Sequence, residues 1–320
     1  MCGSVFQHIN LGRHLPFAHP RLDRYRKFLE PSADPAHTGL RAHFLGTSSV
    51  LLTDEDTSIL SDGFVTRPGM LSLQFGKISP DGQLVRDAID RLGVRSSLAA
   101  VFCAHSHYDH AMDAPIWANE TGADLIGSES TANIGRGLNV AESSLKVVAN
   151  GQTLSYNDFE LTFIHSVHSP GDIYPGVVTE PLAPPAPTRA WKSATCYSVL
   201  VNHPQGRVLI HASANIIPGA LTGHRADVIY LGVTLLGRQS EEFVKTYWNE
   251  VVVTTGARRI ILVHWDDFFR TLDRPLRPLP YVADDFDATM NRLLPLAEQG
   301  GIEVLLPTPW QPTNPLALQG

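Results

Sequence analysis

The chain has 320 residues, 43% of them hydrophobic and 18% charged, with a formal net charge of −7. A chain of this length buries roughly 75% of the surface its unfolded form exposes, which allows one large domain or two medium ones. It contains no run of five or more basic residues, which argues against nucleic acid as a partner, no apolar stretch long enough to span a bilayer, and only three cysteines without a CxxC pair, which argues against a disulfide framework or a sulfur-ligated zinc site.

The N-terminus, "MCGSVFQ", resembles a bacterial lipoprotein after signal removal, in which Cys2 would carry the lipid. That reading implies an anchor in the cell envelope. Its alternative is an ordinary N-terminus on a cytoplasmic protein. The polar, Pro- and His-containing stretch over 1–39 fits a tether or an arm lying over a single domain spanning 40–320.

Residues 41–64 read as short strands, with Phe44-Leu45, Val50-Leu51-Leu52 and Ile59-Leu60 separated by turn formers. Over 83–92, Leu84, Val85, Ala88, Ile89 and Leu92 recur at helical spacing, and Gly93 follows as a C-terminal cap. "SLAAVFCAHSH" is a continuous apolar strand that runs into histidines. A short helix ends at Gly122, strands follow at "ADLIGS" and over 159–168, and residues 171–195 are loop-like. Residues 196–213 form a hairpin around His203-Pro204-Gln205-Gly206. "ADVIYLGV" is a strand. Ser240 caps a helix whose apolar face is Phe243, Val244, Tyr247, Trp248 and Val251. "RRIILVHWDD" is a buried strand ending in His264, and a helix over about 284–297 precedes the strand "IEVLLP". No internal repeat is visible. Strands in runs, then alternating with helices, twice over, predict an α/β protein with two β-layers covered by helices outside, a four-layer αββα sandwich.

The chemistry concentrates in "HSHYDH", where His105, His107, Asp109 and His110 occupy six positions beyond a strand end. A lone His beside an apolar strand is ordinarily a core or surface residue. Four ligand-type residues together are not explained by packing, since burying them uncompensated costs roughly 1–3 kcal/mol each. His105 and His107, at i and i+2, can point at one cation, and Asp109 and His110 at a second. Zinc takes neutral imidazole nitrogen and carboxylate oxygen, and a catalytic site keeps one position open for water.

"HSHYDH" resembles the HxHxDH signature of the metallo-β-lactamase superfamily, and the likeness in motif and strand order covers about Leu40 to Pro307. The resemblance implies the metallo-β-lactamase (αββα) fold, a centre of one or two ions and, usually, hydrolysis. The lactonase and phosphodiesterase-like branch is the nearest in kind, and the nuclease branch resembles this chain less. Residue by residue, "HSVHSPGD" supplies His168 as the next ligand, while His165 shares a strand face with Leu161 and Phe163 and reads as a core histidine. "IILVHWDD" supplies His264. The resemblance thus assigns His105, His107 and His168 to one zinc, and Asp109, His110 and His264 to a second, with manganese or iron as other occupants. One position departs: Ser213 falls where the family has a bridging Asp, so the second ion should bind more weakly unless His211 or Asn215 compensates. Asp62 corresponds to a family position close to the metal loop. Asp109 could also orient the attacking water or carry its proton. Tyr108, Tyr174, Trp191 and Trp265 are candidate walls of a small-molecule pocket. The sequence therefore supports a metal-dependent hydrolase of an ester, lactone or phosphodiester. Beside it stand an iron-dependent redox enzyme on the same ligands and a non-catalytic metal-binding module, which only Ser213 favours.

Overall fold

In the computed structural model, which describes residues 15, 17–34 and 38–317, the strands form two seven-stranded sheets. The first holds β1 (Arg41–Phe44), β2 (Val50–Thr53), β3 (Ser58–Ser61), β4 (Leu98–Phe102), β5 (Asp124–Gly127) and β6 (Leu145–Val147). The second holds β7 (Gln152–Tyr156), β8 (Phe159–Ser166), β9 (Cys196–His203), β10 (Gly206–His211), β11 (Val228–Gly232), β12 (Arg259–Val263) and β13 (Glu303–Leu305). β14 (Pro312–Thr313) crosses back and pairs with β1. β3, β4 and β5 run parallel, as do β10 through β13.

The parallel strands are apolar at most positions because both of their faces are covered. In β4 and just beyond it, Ala100 and Phe102 face the second sheet, while Leu98, Val101 and Cys103 face the outer helices. Phe102 meets Phe163 of β8 edge to face, with ring centroids 6.1 Å apart. Outside the first sheet lie α1 (Met70–Phe75), α2 (Gly82–Leu92), α3 (Tyr108–Ala111), α4 (Ala114–Thr121) and α5 (Glu129–Gly137). Outside the second lie α6 (Glu241–Trp248), continued by a π-turn over Asn249–Val253, and α7 (Phe286–Gly300). The result is the αββα sandwich expected from the strand and helix order.

Local signals explain the helix ends. Asp81 caps α2 by accepting from the backbone N–H groups of Gln83 and Leu84, and Gly93 closes it in the left-handed region. Ser240 caps α6 through Phe243 N–H, and Asp285 caps α7 through Ala288 N–H. The apolar face read in α6 is buried at Val244, Tyr247, Trp248 and Val251. A 3₁₀ turn at Leu22–Phe28 lies against α7, where the Tyr25 hydroxyl donates to Asp287 at 2.6 Å and its ring stacks edge-on with Phe286. Cys2 lies outside the described residues. Cys103 and Cys196 are buried free thiols. No helix among the described residues is long and apolar enough to cross a membrane.

Candidate metal centre

The ends of four strands converge at one edge of the sandwich. β4 delivers the segment from His105 to His110, β8 leads to His168, β10 to Ser213, and β12 to His264. Loops beyond the carboxyl ends of parallel strands are where α/β folds place ligands. The six residues read from the sequence fall into two groups there. One ligand atom from each of His105, His107 and His168 lies within 4.8 Å of the others, and the same holds for Asp109, His110 and His264. The groups adjoin, since the His105 and His110 rings are 3.8 Å apart.

Hydrogen bonds fix which nitrogen of three rings is free, because a ring N–H must face an acceptor and the other nitrogen then bears the lone pair. His110 Nδ1 donates to Asp62 Oδ2 at 3.0 Å, so its Nε2 carries the lone pair toward Asp109. His168 Nδ1 donates to Ser169 O at 2.8 Å, which frees its Nε2. His107 Nε2 faces Asp172 Oδ1 at 3.3 Å and Tyr174 O at 3.4 Å, which turns its Nδ1 toward His105 Nε2, 3.2 Å away. On the other side of the centre, His264 Nε2 lies 3.4 Å from Asp109 Oδ2.

Electrostatics point the same way. Burial holds His105 well below the ordinary imidazole value, lowers His107, and brings His168 to about 4, with neighbouring histidines adding to each shift. These rings are therefore neutral, the form that ligates a cation. Burial also opposes charge on Asp109 and His110. The field of His110 and the hydrogen bond from His264 outweigh it at Asp109, whose carboxyl sits below the usual range. Asp62 and Asp109 outweigh it at His110, which is raised. The surroundings of Asp109 and His110 thus favour a positive charge. His110 Nε2 is buried and without a hydrogen-bond partner, as are Nδ1 of His105 and His264. A buried orphan nitrogen costs roughly 1–3 kcal/mol, and coordination at His110 Nε2 would remove that cost. The residues present therefore fit one or two divalent cations.

The surrounding scaffold is specific. Asp62, in the left-handed region at φ 58°, accepts from Ser48 Oγ at 2.7 Å and from Ala104 N at 2.9 Å while holding His110. His264 also adopts a positive φ, 59°, and donates its backbone N–H to Thr47 O. Thr47 N in turn donates to Asp266, which pairs at 2.7 Å with the fully buried Arg67. Asp266 thus anchors the loop under His264. Asn215 donates to His168 O, and Ala214 N–H to Ser169 Oγ, which ties the His168 loop to the turn after β10.

A cavity of about 240 Å³ opens over the two groups. Tyr108, Tyr174 and Ser213 line it, as the sequence suggested for the two tyrosines, together with Ile173, Leu235 and Phe268. Trp191 and Trp265 do not, which corrects their reading as pocket walls. Trp191 is fully buried under the helices of the first sheet. Trp265 packs in the main core, where its indole N–H donates to Leu262 O. His264 faces the cavity while its neighbour Trp265 turns into the core. His211 is not among the ligand-forming groups either: Nδ1 meets Ser198 Oγ at 2.7 Å and Nε2 meets Asn215 O at 3.0 Å, so both nitrogens are engaged, and burial lowers its pKa to about 4. His165 sits at the sheet rim, half-buried against Tyr197, rather than in the core. Asp172 and Asp266 are the polar residues of the site that sequence reasoning missed as such. A third cluster, Asp54, Asp158 and His203, lies away from this centre. His203 Nδ1 accepts from Gln205 N–H there and Nε2 faces Asp54, which leaves no ring lone pair for a cation.

The architecture and this arrangement of strand ends define the class: the chain has the metallo-β-lactamase fold. No family model matches the sequence, and no curated protein matches it. Among solved structures, the chain is similar to Igni18, a metallo hydrolase from the archaeon Ignicoccus hospitalis, with a TM-score of 0.51, 13% identity, and 86% of this chain and 97% of that chain covered. It is similar to a possible metal-dependent hydrolase from Veillonella parvula, with a TM-score of 0.52, 13% identity, and coverage of 86% and 99%. It is also similar to CmlA, a diiron β-hydroxylase from Streptomyces venezuelae, with a TM-score of 0.51, 14% identity, and coverage of 87% of this chain and 54% of that one. At these identities the likeness is one of fold.

Proposed function

We propose that the chain is a metal-dependent hydrolase, with zinc as its natural ion, acting on an ester, lactone or phosphodiester bond of a small molecule. The observation that carries this reading is the pair of adjoining three-donor groups, five of whose six residues line one cavity. A bound divalent ion supplies a water whose pKa falls from 15.7 toward roughly 7, together with Lewis acidity toward the scissile oxygen. His105, His107 and His168 would hold one ion, and Asp109, His110 and His264 the other. Asp109, flanked by His110 and His264, is the carboxylate placed to orient the attacking water. Tyr108, Tyr174, Ile173, Leu235 and Phe268 form an apolar wall that binds the non-reacting part of the substrate and limits water. Ser213 offers a hydroxyl where a carboxylate would neutralise more charge, so the two ions are expected to bind unequally.

The test is hydrolysis of aryl ester, lactone and bis-aryl phosphate substrates by protein loaded with zinc, manganese or iron. Turnover of one class, lost by at least a hundredfold in Asp109→Ala, is the expected result. No turnover of any class would sink the hydrolase reading. The resemblance in fold to a diiron β-hydroxylase supports a second reading, iron-dependent oxidation, because histidine and carboxylate donors also suit iron. Oxygen uptake by the iron-loaded protein without hydrolysis would favour it.

A further inference from the structure

We propose that Asp172 is a positioning residue of the metal centre: through Tyr174 it holds His107 with Nδ1 facing the cation, and it supplies, from the pocket loop, negative charge that Ser213 does not. The proposal rests on the reading of the two donor groups as a metal centre. Three observations carry it.

First, Asp172 Oδ1 lies 3.3 Å from His107 Nε2, the nitrogen that faces away from His105. A carboxylate behind a metal-binding imidazole fixes its tautomer and raises its basicity. Across the centre, Asp62 accepts directly from His110 Nδ1 at 3.0 Å, whereas the His107 Nε2–H group bonds to Tyr174 O at 3.4 Å, and Asp172 acts beside it through its charge and its hold on Tyr174 N–H. Each three-donor group therefore contains one imidazole with a carboxylate within 3.3 Å of its outward nitrogen. Asp62 belongs to the β3 end of the first sheet, whereas Asp172 comes from the loop after β8.

Second, the carboxylate is held in place. Asp172 Oδ1 accepts from Tyr174 N–H at 2.9 Å, and the Ser193 side chain bonds to the same carboxylate. Ser193 N–H donates to Tyr174 O, and Ser193 O accepts from Ser106 N–H, between His105 and His107. The loop is thus stitched to the ligand-bearing segment itself.

Third, the group itself carries no anionic charge. Among His105, His107 and His168 there is no anionic donor, and the residue at the bridging position is the neutral Ser213. Asp172 is the carboxylate in contact with that group. The same short loop carries His168, Asp172 and the wall residues Ile173 and Tyr174, so substrate contacts and cation affinity share one segment.

The experiment is a chelator-competition titration with zinc, and separately the absorption spectrum with cobalt, on the full chain and on Asp172→Ala, Asp172→Asn and, as a loop control, Ile173→Ala. Thermal melting of the metal-free proteins checks that each is folded. Loss of the carboxylate behind a ligand histidine ordinarily costs ten- to a hundredfold in metal affinity. The expected result is a loss of about that size for one ion in Asp172→Ala, a smaller loss in Asp172→Asn, whose amide oxygen still accepts from Tyr174 N–H, a changed cobalt spectrum in both, and wild-type affinity in Ile173→Ala. Unchanged affinity in folded Asp172→Ala would overturn the proposal while leaving the metal centre standing. An equal fall in Ile173→Ala would assign the effect to the loop and overturn it too. A wild-type chain that binds neither zinc nor cobalt would overturn the centre, and the role of Asp172 with it.

Discussion

Arg67 and Asp266 show how the centre is held from beneath. Both side chains are fully buried and 2.7 Å apart. Gly46 makes room for them: at φ +83°, a Cβ there would fall 1.7 Å from the Arg67 guanidinium. Breaking a buried pair leaves one charge uncompensated and costs about 3–5 kcal/mol. Asp266→Ala is therefore expected to destabilise the protein by that order in urea unfolding, and to free Thr47 and the His264 loop. A loss under 1 kcal/mol would refute that role. Residues at this scale were unevenly legible. The six candidate ligands stand in recognisable local contexts, and all of them meet. The partner of Asp266 is 199 positions away, and nothing in "HWDDFF" points to it. Trp191 and Trp265 misled because neither a place in a loop nor proximity in sequence to a ligand says on which side a ring lies.

The loops do at the level of elements what the strands cannot. The turn after β10 lies against Gly232 at the end of β11, where an added Cβ would stand 2.2 Å from Ala212 O. Because that turn continues into Ala214 and Asn215, which bond Ser169 and His168, strain at Gly232 reaches the centre. Gly232→Ala should cost about 1–3 kcal/mol of stability, as overpacking does, and should weaken zinc binding in the same competition titration; wild-type stability and affinity together would show that the turn is not so constrained. Element boundaries were readable at Gly93, which ends α2, and at Ser240, which starts α6. They were not readable at α5, whose Ser128 cap is followed by small residues and by Gly135 and Gly137, which blur the helical period. The short strands β6 and β7 escaped for a related reason: their residues are half-exposed and carry little hydrophobic pattern.

Across the whole molecule, the apolar strands and amphipathic helices dictated a sandwich of two covered sheets, and that architecture brings the carboxyl ends of β4, β8, β10 and β12 to one edge. Neither the cavity nor its size could be read beforehand, because loop conformation decides both. A ligand that binds only the folded state stabilises it, by about 2.7 kcal/mol at a hundred times its dissociation constant. A folded chain holding its ions should thus melt several degrees above the chelated one. The most direct test of the centre is metal analysis of protein purified without chelator and equilibrated with zinc, manganese or ferrous iron, for the wild type and for His107→Ala with His264→Ala. One to two ions per wild-type chain, and loss of tight binding in the double variant, is the expected result for the two donor groups. A folded wild-type chain that remains metal-free under all three conditions would contradict it.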